Sequence, residues 1–222
     1  MNHKTKAVTL IGVPLEEGSG RGGYGMGPAA LRIAGIGSAL AELGYRVTDM
    51  GDLRPAPARE LGEYPKAHHL PVVAAFTRAI EDSTYSAARD GSLPVLLGGD
   101  HSLALGTVTG TLRAYPDAAL IWIDAHADIN TPDTTESGNL HGCPVSFLLG
   151  LEGTDVEPFN SWVPKKPLLR PESLVYIGLR DIDAGERRIL KQNNIKAFSM
   201  HHVDKYGIGR VVEMALDHVN GA

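Results

Sequence analysis

Cysteine is almost absent from this sequence, because Cys143 is the only one among 222 residues. A disulfide within the chain needs two cysteines, so no internal disulfide framework can stabilise the fold. A long basic run is also missing and the formal net charge is −5, which does not fit a nucleic-acid-binding protein. No apolar run is long enough to cross a bilayer. We therefore expect a cytoplasmic protein with no nucleic-acid or membrane partner.

The composition is that of a globular protein, with 43% hydrophobic and 21% charged residues. Short apolar, β-branched runs alternate with amphipathic runs along the chain. This alternation predicts an α/β fold with a doubly wound, mostly parallel sheet. Because the sequence contains no repeat and no obvious linker, we expect a single domain over residues 1–222.

The predicted elements follow from these runs and from helix start and stop signals. We predict strands at 7–13, 46–49, 93–97, 119–123, 174–177 and 195–198. We predict helices at 28–43, 70–89, 102–114, 144–151, 185–191 and 208–219. The intervening segments 17–27, 127–141 and 153–171 are expected to be Gly-rich, polar or irregular loops.

Acidic and histidine residues follow three of the predicted core strands, the third of which leads into Asp181 and Asp183. His101 comes after one of them, and Asp124, His126 and Asp128 come directly after the next. Ligands of open α/β sheets bind beyond the carboxyl ends of the strands. Residues two apart on an extended chain point to one face, so these side chains can share one small volume. The sequence therefore predicts a metal site with His101, Asp124, His126 and Asp128 as ligands.

The chemistry of these side chains supports a cation. Clustered carboxylates repel each other, and a divalent ion removes that cost. Carboxylate and imidazole ligands without thiolate suit manganese, iron, zinc or cobalt. The alternative is that these residues only cap helices and form turns, as Asp100 and Ser102 naturally would.

A second pattern is a glycine fingerprint. Gly18, Gly20 and Gly23 match G-x-G-x-x-G between a strand and a helix, and Asp49 ends the next predicted strand, as in dinucleotide-binding proteins. However, residues 14–17 separate the strand from the first glycine, and they include two glutamates that would repel a pyrophosphate. We interpret the segment as a flexible loop on the substrate side.

Three motifs carry a resemblance to a known family. The segments Gly98–Ser102, Asp124–Asp128 and Ser137–Gly142 resemble, in order and spacing, successive motifs of the arginase family. The resemblance extends over nearly the whole chain through Arg21–Gly23, Gly27-Pro28 and Tyr176–Asp181. The Ser-Gly-Asn-Leu-His-Gly motif points to the arginases within the ureohydrolases. The resemblance implies an arginase-like three-layer sandwich.

The resemblance also implies a catalytic metal site. His101, Asp124 and Asp128 would bind one Mn²⁺, and Asp124 would bridge to a second Mn²⁺ that His126 also binds. A hydroxide bridging the ions would attack the guanidinium carbon of L-arginine, giving L-ornithine and urea. Asp128 would accept a hydrogen bond from that hydroxide, and His141 would carry a proton towards the leaving amine. The alternative for His141 is a loop residue that caps the next helix.

A substrate site with two parts is implied as well. Neutral donors would hold the α-carboxylate, and two acidic residues would hold the α-amino group, directly or through water. Acidic residues are equally favoured at a helix N-terminus, which is the alternative for the second part. The residues are Asn130, Thr135, Ser137 and Asn139 for the carboxylate, and Asp183 and Glu186 for the amino group. His201, His202 and Asp204 match no ligand of the family, and we expect them at the surface.

Members of the family continue into a strand with an Asp-x-Asp motif whose carboxylates bind metal, and then to a glutamate that grips the guanidinium group. This chain ends at Ala222, after a helix-stop signal at Asn220-Gly221. We therefore expect the 222-residue chain alone to hold at most one tightly bound metal and to produce little urea. The resemblance further implies a homo-oligomer, a trimer or hexamer. The alternatives are an agmatinase or other ureohydrolase, and a non-catalytic fragment or pseudoenzyme.

Overall fold

A run of seven residues, Ala7–Val13, forms the central strand of a parallel sheet in the computed structural model. The structure describes residues 6–56, 66–162 and 167–221. In chain order the strands are β1 (Ala7–Val13), β2 (Arg46–Asp52), β3 (Ser92–Gly98), β4 (Leu120–Ile123), β5 (Leu174–Leu179) and β6 (Lys196–Ser199). The α-helices are α1 (Gly27–Ile33), α2 (Ile36–Glu42), α3 (Leu70–Arg89), α4 (Ala104–Ala114), α5 (Pro144–Leu148), α6 (Phe159–Trp162), α7 (Ala184–Gln192), α8 (Met200–Tyr206) and α9 (Ile208–Asn220).

The first compact unit consists of residues 1–116 and 139–141, and its sheet has the order β2-β1-β3. All pairings are parallel, and Val8 lies opposite both Val47 and Leu93. The chain leaves β1 to one side for β2 and to the other side for β3, so the carboxyl end of β1 is a point where the strand order reverses. In open α/β sheets this is the place where ligands bind.

Two helices of this unit pack closely because glycines line the contact. A Cβ atom added to Gly106 would lie 2.5 Å from the Thr77 carbonyl oxygen, and one added to Gly110 would lie 2.5 Å from that of Glu81. The two glycines are four residues apart and therefore share one face of α4. Larger residues at either position would force α3 and α4 apart.

The second compact unit consists of residues 117–138 and 142–222, and its sheet has the order β4-β5-β6. Its pairings are also parallel, and every residue of β5 is buried. Val175 and Ile177 of β5 pack with Phe198 of β6 and with Val211 and Ala215 of α9. This core holds the carboxyl ends of β4 and β5, which carry the acidic residues singled out above.

The predicted α/β class and parallel pairing are confirmed, although the described strands form two three-stranded sheets. The prediction of a single domain stays a prediction. Among the described residues, no helix combines the length and apolar character that a membrane span requires.

Three segments of the structure differ from the predicted elements. The helix predicted over 28–43 is broken into α1 and α2, because Gly35 adopts a left-handed conformation with φ 86° between them. Helix α8 was not predicted. Within it, His201 and Asp204 are exposed as expected, whereas His202 is half-buried. The loop predicted over 153–171 contains α6, and its residues 163–166 lie outside the described part of the chain.

Candidate metal centre

The loop after β3 is built against the loop after β1. Gly99 has φ +83°, and a Cβ atom there would lie 2.4 Å from the Val13 carbonyl oxygen, so only glycine fits. The next residue, Asp100, donates its backbone N–H to the Leu15 carbonyl at 2.7 Å. Its carboxylate accepts hydrogen bonds from the backbone N–H groups of Ser19 and Ser102. Asp100 therefore has the capping role considered for it, and it ties the two loops together beside His101.

The glycine-rich loop is held by a carboxylate of the protein itself. One oxygen of Glu16 accepts hydrogen bonds from the backbone N–H groups of Gly23, at 2.8 Å, and Gly25, at 3.0 Å. These two hydrogen bonds, with Gly25 contributing more, hold the pKa of the Glu16 carboxyl below its ordinary value. A phosphate would compete for the same donors, so the structure supports the rejection of a dinucleotide site. The loop that we interpreted as flexible is anchored by these two hydrogen bonds.

The segment after β4 bends instead of continuing as a strand. Asp124 donates its backbone N–H to the Ile177 carbonyl at 3.1 Å and accepts the backbone N–H of His126 on its carboxylate at 2.9 Å. Asp128 has φ 48°, a left-handed conformation that aspartate tolerates better than most residues. We predicted the site from the alternation of side chains along an extended chain. That reason is wrong, because a bend places these side chains.

The donor atoms of three predicted ligands converge. His101, Asp124 and Asp128 each offer one ligand atom, and these atoms all lie within 4.8 Å of one another. Oxygen and nitrogen donors of this kind fit a divalent ion such as Mn²⁺. His126 is placed differently, because its Nδ1 lies 3.2 Å from an Asp124 oxygen and its Nε2 lies 3.4 Å from an Asp181 oxygen.

A buried tyrosine is hydrogen-bonded to the backbone of this bend. The Tyr176 hydroxyl, on the fully buried β5, donates to the Ala127 carbonyl at 2.7 Å. Burial raises the pKa of Tyr176 well above its ordinary value, so the phenol stays protonated and keeps donating. The Asp128 carbonyl accepts the Val145 backbone N–H at 3.0 Å. The backbone on both sides of the Asp128 side chain is therefore fixed.

Three predicted substrate residues meet at the N-terminus of α7. The Asn130 amide donates to an Asp183 oxygen at 2.6 Å, across 53 residues of sequence. Asp183 and Glu186 form a capping box, in which each carboxylate accepts the backbone N–H of the other residue. Glu186 also accepts the Ile129 backbone N–H at 3.4 Å. The two acidic residues therefore lie at a helix N-terminus, as the alternative interpretation expected. Asp183 contacts Asn130, and Glu186 contacts the neighbouring Ile129 backbone.

The other predicted residues are anchored separately. Thr135 is buried and accepts the Gly138 backbone N–H at 3.1 Å, whereas Ser137 is exposed. Asn139 donates its side-chain amide to the Ser19 carbonyl at 3.0 Å, and His141 donates its backbone N–H to the Gly18 carbonyl at 3.0 Å. The N-cap position of α5 is occupied by Cys143 and not by His141. The substrate and catalytic roles of these residues stay predictions.

The pH dependence of stability should report on Glu186. Burial, and next the nearby Asp183 carboxylate, raise the pKa of Glu186 from its ordinary 4.5 to about 7. Between these values the folded chain holds a proton that the unfolded chain has released, so the free energy of unfolding falls as pH rises. The whole shift would correspond to about 3 kcal/mol, and screening by water reduces it to roughly 1–2 kcal/mol. Glu186→Gln should remove that loss.

The measurement is chemical denaturation of the metal-free chain, in chelator, at several pH values between 5 and 8. The variant should gain stability relative to the unmodified chain as pH rises. Glu213→Gln is the matched control, because Glu213 lies exposed on α9 in an ion pair with Arg210. Parallel pH profiles of the Glu186 variant and the unmodified chain would contradict the buried, proton-holding carboxyl.

The fold and the side chains at its strand ends define a class: parallel α/β proteins with a candidate centre for divalent metal. Residues 6–222 match the model of the arginase family. The chain therefore belongs to the arginase family, as the resemblance implied.

Individual relatives agree with this assignment. The chain is 54% identical to an arginase of Glaciozyma antarctica over 95% of its length, and 44% identical to Arginase-1 of Rattus norvegicus over 100%. A crystal structure of the Glaciozyma antarctica enzyme, described as a cold-adapted arginase, superposes with a TM-score of 0.81 at 52% identity, covering 98% of this chain and 71% of that one. The chain spans 62% of the length of the Glaciozyma relative and 68% of the rat one.

Proposed function

We propose that this chain carries most of the active site of a manganese-dependent arginase, which hydrolyses L-arginine to L-ornithine and urea. One observation carries the proposal: His101, Asp124 and Asp128 converge within 4.8 Å in a chain of the arginase family. An agmatinase is a competing assignment within the same class of enzyme, and the substrate test separates the two.

The metal-binding residues of the proposal are those of the predicted site. His101, Asp124 and Asp128 would hold one Mn²⁺, and Asp124 with His126 would contribute to a second. When bound, such ions supply Lewis acidity and lower the pKa of water towards 7, so that a nucleophile is available at neutral pH. The hydrogen bond from Tyr176 to the Ala127 carbonyl, and the one from Val145 to the Asp128 carbonyl, hold the Asp128 backbone in place for this task.

The substrate α-carbon would be recognised by both of its charged groups. Asn130, with Thr135, Ser137 and Asn139, would bind the α-carboxylate, and Asp183, assisted by Glu186, would bind the α-amino group. The contact between Asn130 and Asp183 supports this assignment, because it places a neutral donor and an acidic acceptor side by side. A zwitterionic amino acid presents the complementary pair of charges.

His141 would move the proton that the leaving amine requires. Imidazole is suited to this task because its ordinary pKa lies near neutrality. The backbone hydrogen bond from His141 to Gly18 anchors its main chain next to the glycine-rich loop. A cytoplasmic location and a homo-oligomeric state, trimer or hexamer, belong to the same proposal.

Metal content and urea release test the proposal. We would compare the 222-residue chain with a fusion protein, in which the chain is joined at Ala222 to the remaining part of the Glaciozyma arginase. The chain alone is expected to hold at most one tightly bound Mn²⁺ and to release little urea. The fusion protein is expected to hold two ions and to release urea from L-arginine.

The matched variants are Asp128→Asn and, as control, Asp217→Asn on the exposed face of α9. Asp128→Asn in the fusion protein should lower the Mn²⁺ content, measured by plasma emission spectrometry, and Asp217→Asn should not. A fusion protein that folds and releases no urea would contradict the proposed function. Two ions and rapid turnover in the chain alone would show that other residues complete the site.

A further inference from the structure

A threonine outside the predicted site is hydrogen-bonded to Asn130. The Thr134 hydroxyl donates to the Asn130 side-chain oxygen at 2.7 Å and accepts the Thr131 backbone N–H at 2.9 Å. Its other close oxygen, the Thr131 carbonyl, is farther away at 3.5 Å, so Asn130 is the better acceptor for the single hydroxyl proton. Thr134 thus links the main chain of its own loop to the side chain of Asn130.

The direction of these hydrogen bonds is fixed by chemistry. An ionised Asp183 carboxylate only accepts, so the Asn130 NH₂ must face it, as the 2.6 Å contact requires. The Asn130 oxygen then faces Thr134, whose proton must point towards it. Each bond in this series polarises the next, so the series holds the amide more firmly than either contact alone.

A third neighbour of the Asn130 side chain is a glycine. A Cβ atom added to Gly185, in the first turn of α7, would lie 3.1 Å from the Asn130 oxygen and 3.1 Å from an Asp183 oxygen. Contacts of that length are tighter than ordinary van der Waals packing, so the amide lies directly over the glycine. Asn130 is therefore confined by Thr134, Asp183 and Gly185 together.

We propose that Thr134 is a positioning residue for substrate specificity: it holds the Asn130 amide so that one N–H donates to Asp183 and the other donates to the substrate α-carboxylate. An amide NH₂ has two hydrogens, which makes both bonds possible at once. The proposal rests on the proposed function, because it takes L-arginine as the ligand. Thr134 itself needs no contact with the substrate.

The test uses the 222-residue chain in Mn²⁺ with three variants. Thr134→Val removes the hydroxyl at nearly constant volume, and Thr134→Ser keeps the hydroxyl and removes the methyl group. Thr109→Val is the matched control, because the Thr109 hydroxyl, buried on α4, also donates to an oxygen, the Leu105 carbonyl, at 2.7 Å. Calorimetry gives the Kd of L-arginine and of agmatine, and ¹⁵N NMR reports the side-chain NH₂ group of Asn130.

Thr134→Val is expected to weaken L-arginine binding on the order of tenfold, the effect of one lost hydrogen bond. It should leave agmatine binding and metal content unchanged, because agmatine has no carboxylate. It should also shift the Asn130 NH₂ resonances and speed their exchange with solvent. Thr134→Ser should restore both properties, and Thr109→Val should alter neither.

Each contrary outcome has a distinct meaning. An unchanged Asn130 signal in Thr134→Val would overturn the positioning role whether or not the chain binds arginine. A shifted signal with unchanged arginine affinity would overturn the link to specificity. If the unmodified chain and the fusion protein both fail to bind L-arginine, the proposed function fails, and with it the assignment of the carboxylate as ligand. The NMR comparison then still decides whether Thr134 positions Asn130.

Discussion

L-Arginine is expected to be hydrolysed by the fusion protein with a kcat/KM about 10⁴-fold higher than that of agmatine. Agmatine lacks the α-carboxylate, so the Asn130 amide would have no substrate carboxylate to which it could donate a hydrogen bond. A binding site built to hydrogen-bond a group rejects an analogue without it, because polar groups of the site are then left unpaired. The measurement is urea release from the two substrates in parallel.

Asn130→Ala separates this cause from others. The substitution should lower kcat/KM for L-arginine and leave that for agmatine nearly unchanged, since only the first substrate uses the amide. The preference for L-arginine over agmatine should therefore shrink because kcat/KM for L-arginine falls. Equal turnover of both substrates by the unmodified fusion protein would be incompatible with an arginase and would favour a ureohydrolase of broader specificity.

His141→Ala in the fusion protein should lower kcat by roughly 10²–10⁴-fold, the range of general acid–base assistance. The Mn²⁺ content should not change, because His141 is not a proposed ligand. The structure also places Cys143 at the N-cap of the following helix, so removal of the imidazole is not expected to unfold α5. Steady-state kinetics and plasma emission spectrometry measure the two quantities.

Two further histidine variants serve as comparisons for this result. His201→Ala, at an exposed position on α8, is the matched control and should leave both quantities unchanged. His101→Ala should lower kcat together with the metal content. Full activity of His141→Ala, or a loss of Mn²⁺ like that of His101→Ala, would show that the proton-carrying role is misassigned.

The sequence predicted the strands well because their apolar runs are short and clearly bounded. The start of β1 at Ala7 and the whole of α3, Leu70–Arg89, agree with the structure to the residue. The break between α1 and α2 was missed, because a single glycine within a helical pattern is usually tolerated. Helix α8 was missed because its capping box uses His202, whose Nδ1 accepts the Ser199 backbone N–H at 3.1 Å, in place of the usual Glu or Gln.

The three side chains that could hold a metal ion were predictable from the sequence, whereas most contacts of the candidate site were not. The convergence of His101, Asp124 and Asp128 followed from where the strands end, although the bend at Asp128 did not. The pairing of Asn130 with Asp183 could not be read from the sequence, because it depends on the register between two segments 53 residues apart. Thr134 had a detectable signal, since it lies four residues after Asn130, but threonine is too common in loops for that spacing to be informative.

The Glu16 carboxylate has a thermodynamic consequence beyond its place in the loop. By accepting the N–H groups of Gly23 and Gly25, it orders a glycine-rich segment before any ligand arrives. Fixing the backbone of a free residue costs about 1–2 kcal/mol, and more for glycine than for other residues. Ligand binding next to Asn139 and His141, which hydrogen-bond to this segment, therefore does not have to offset that entropy loss. That loss of backbone entropy occurred when the chain folded.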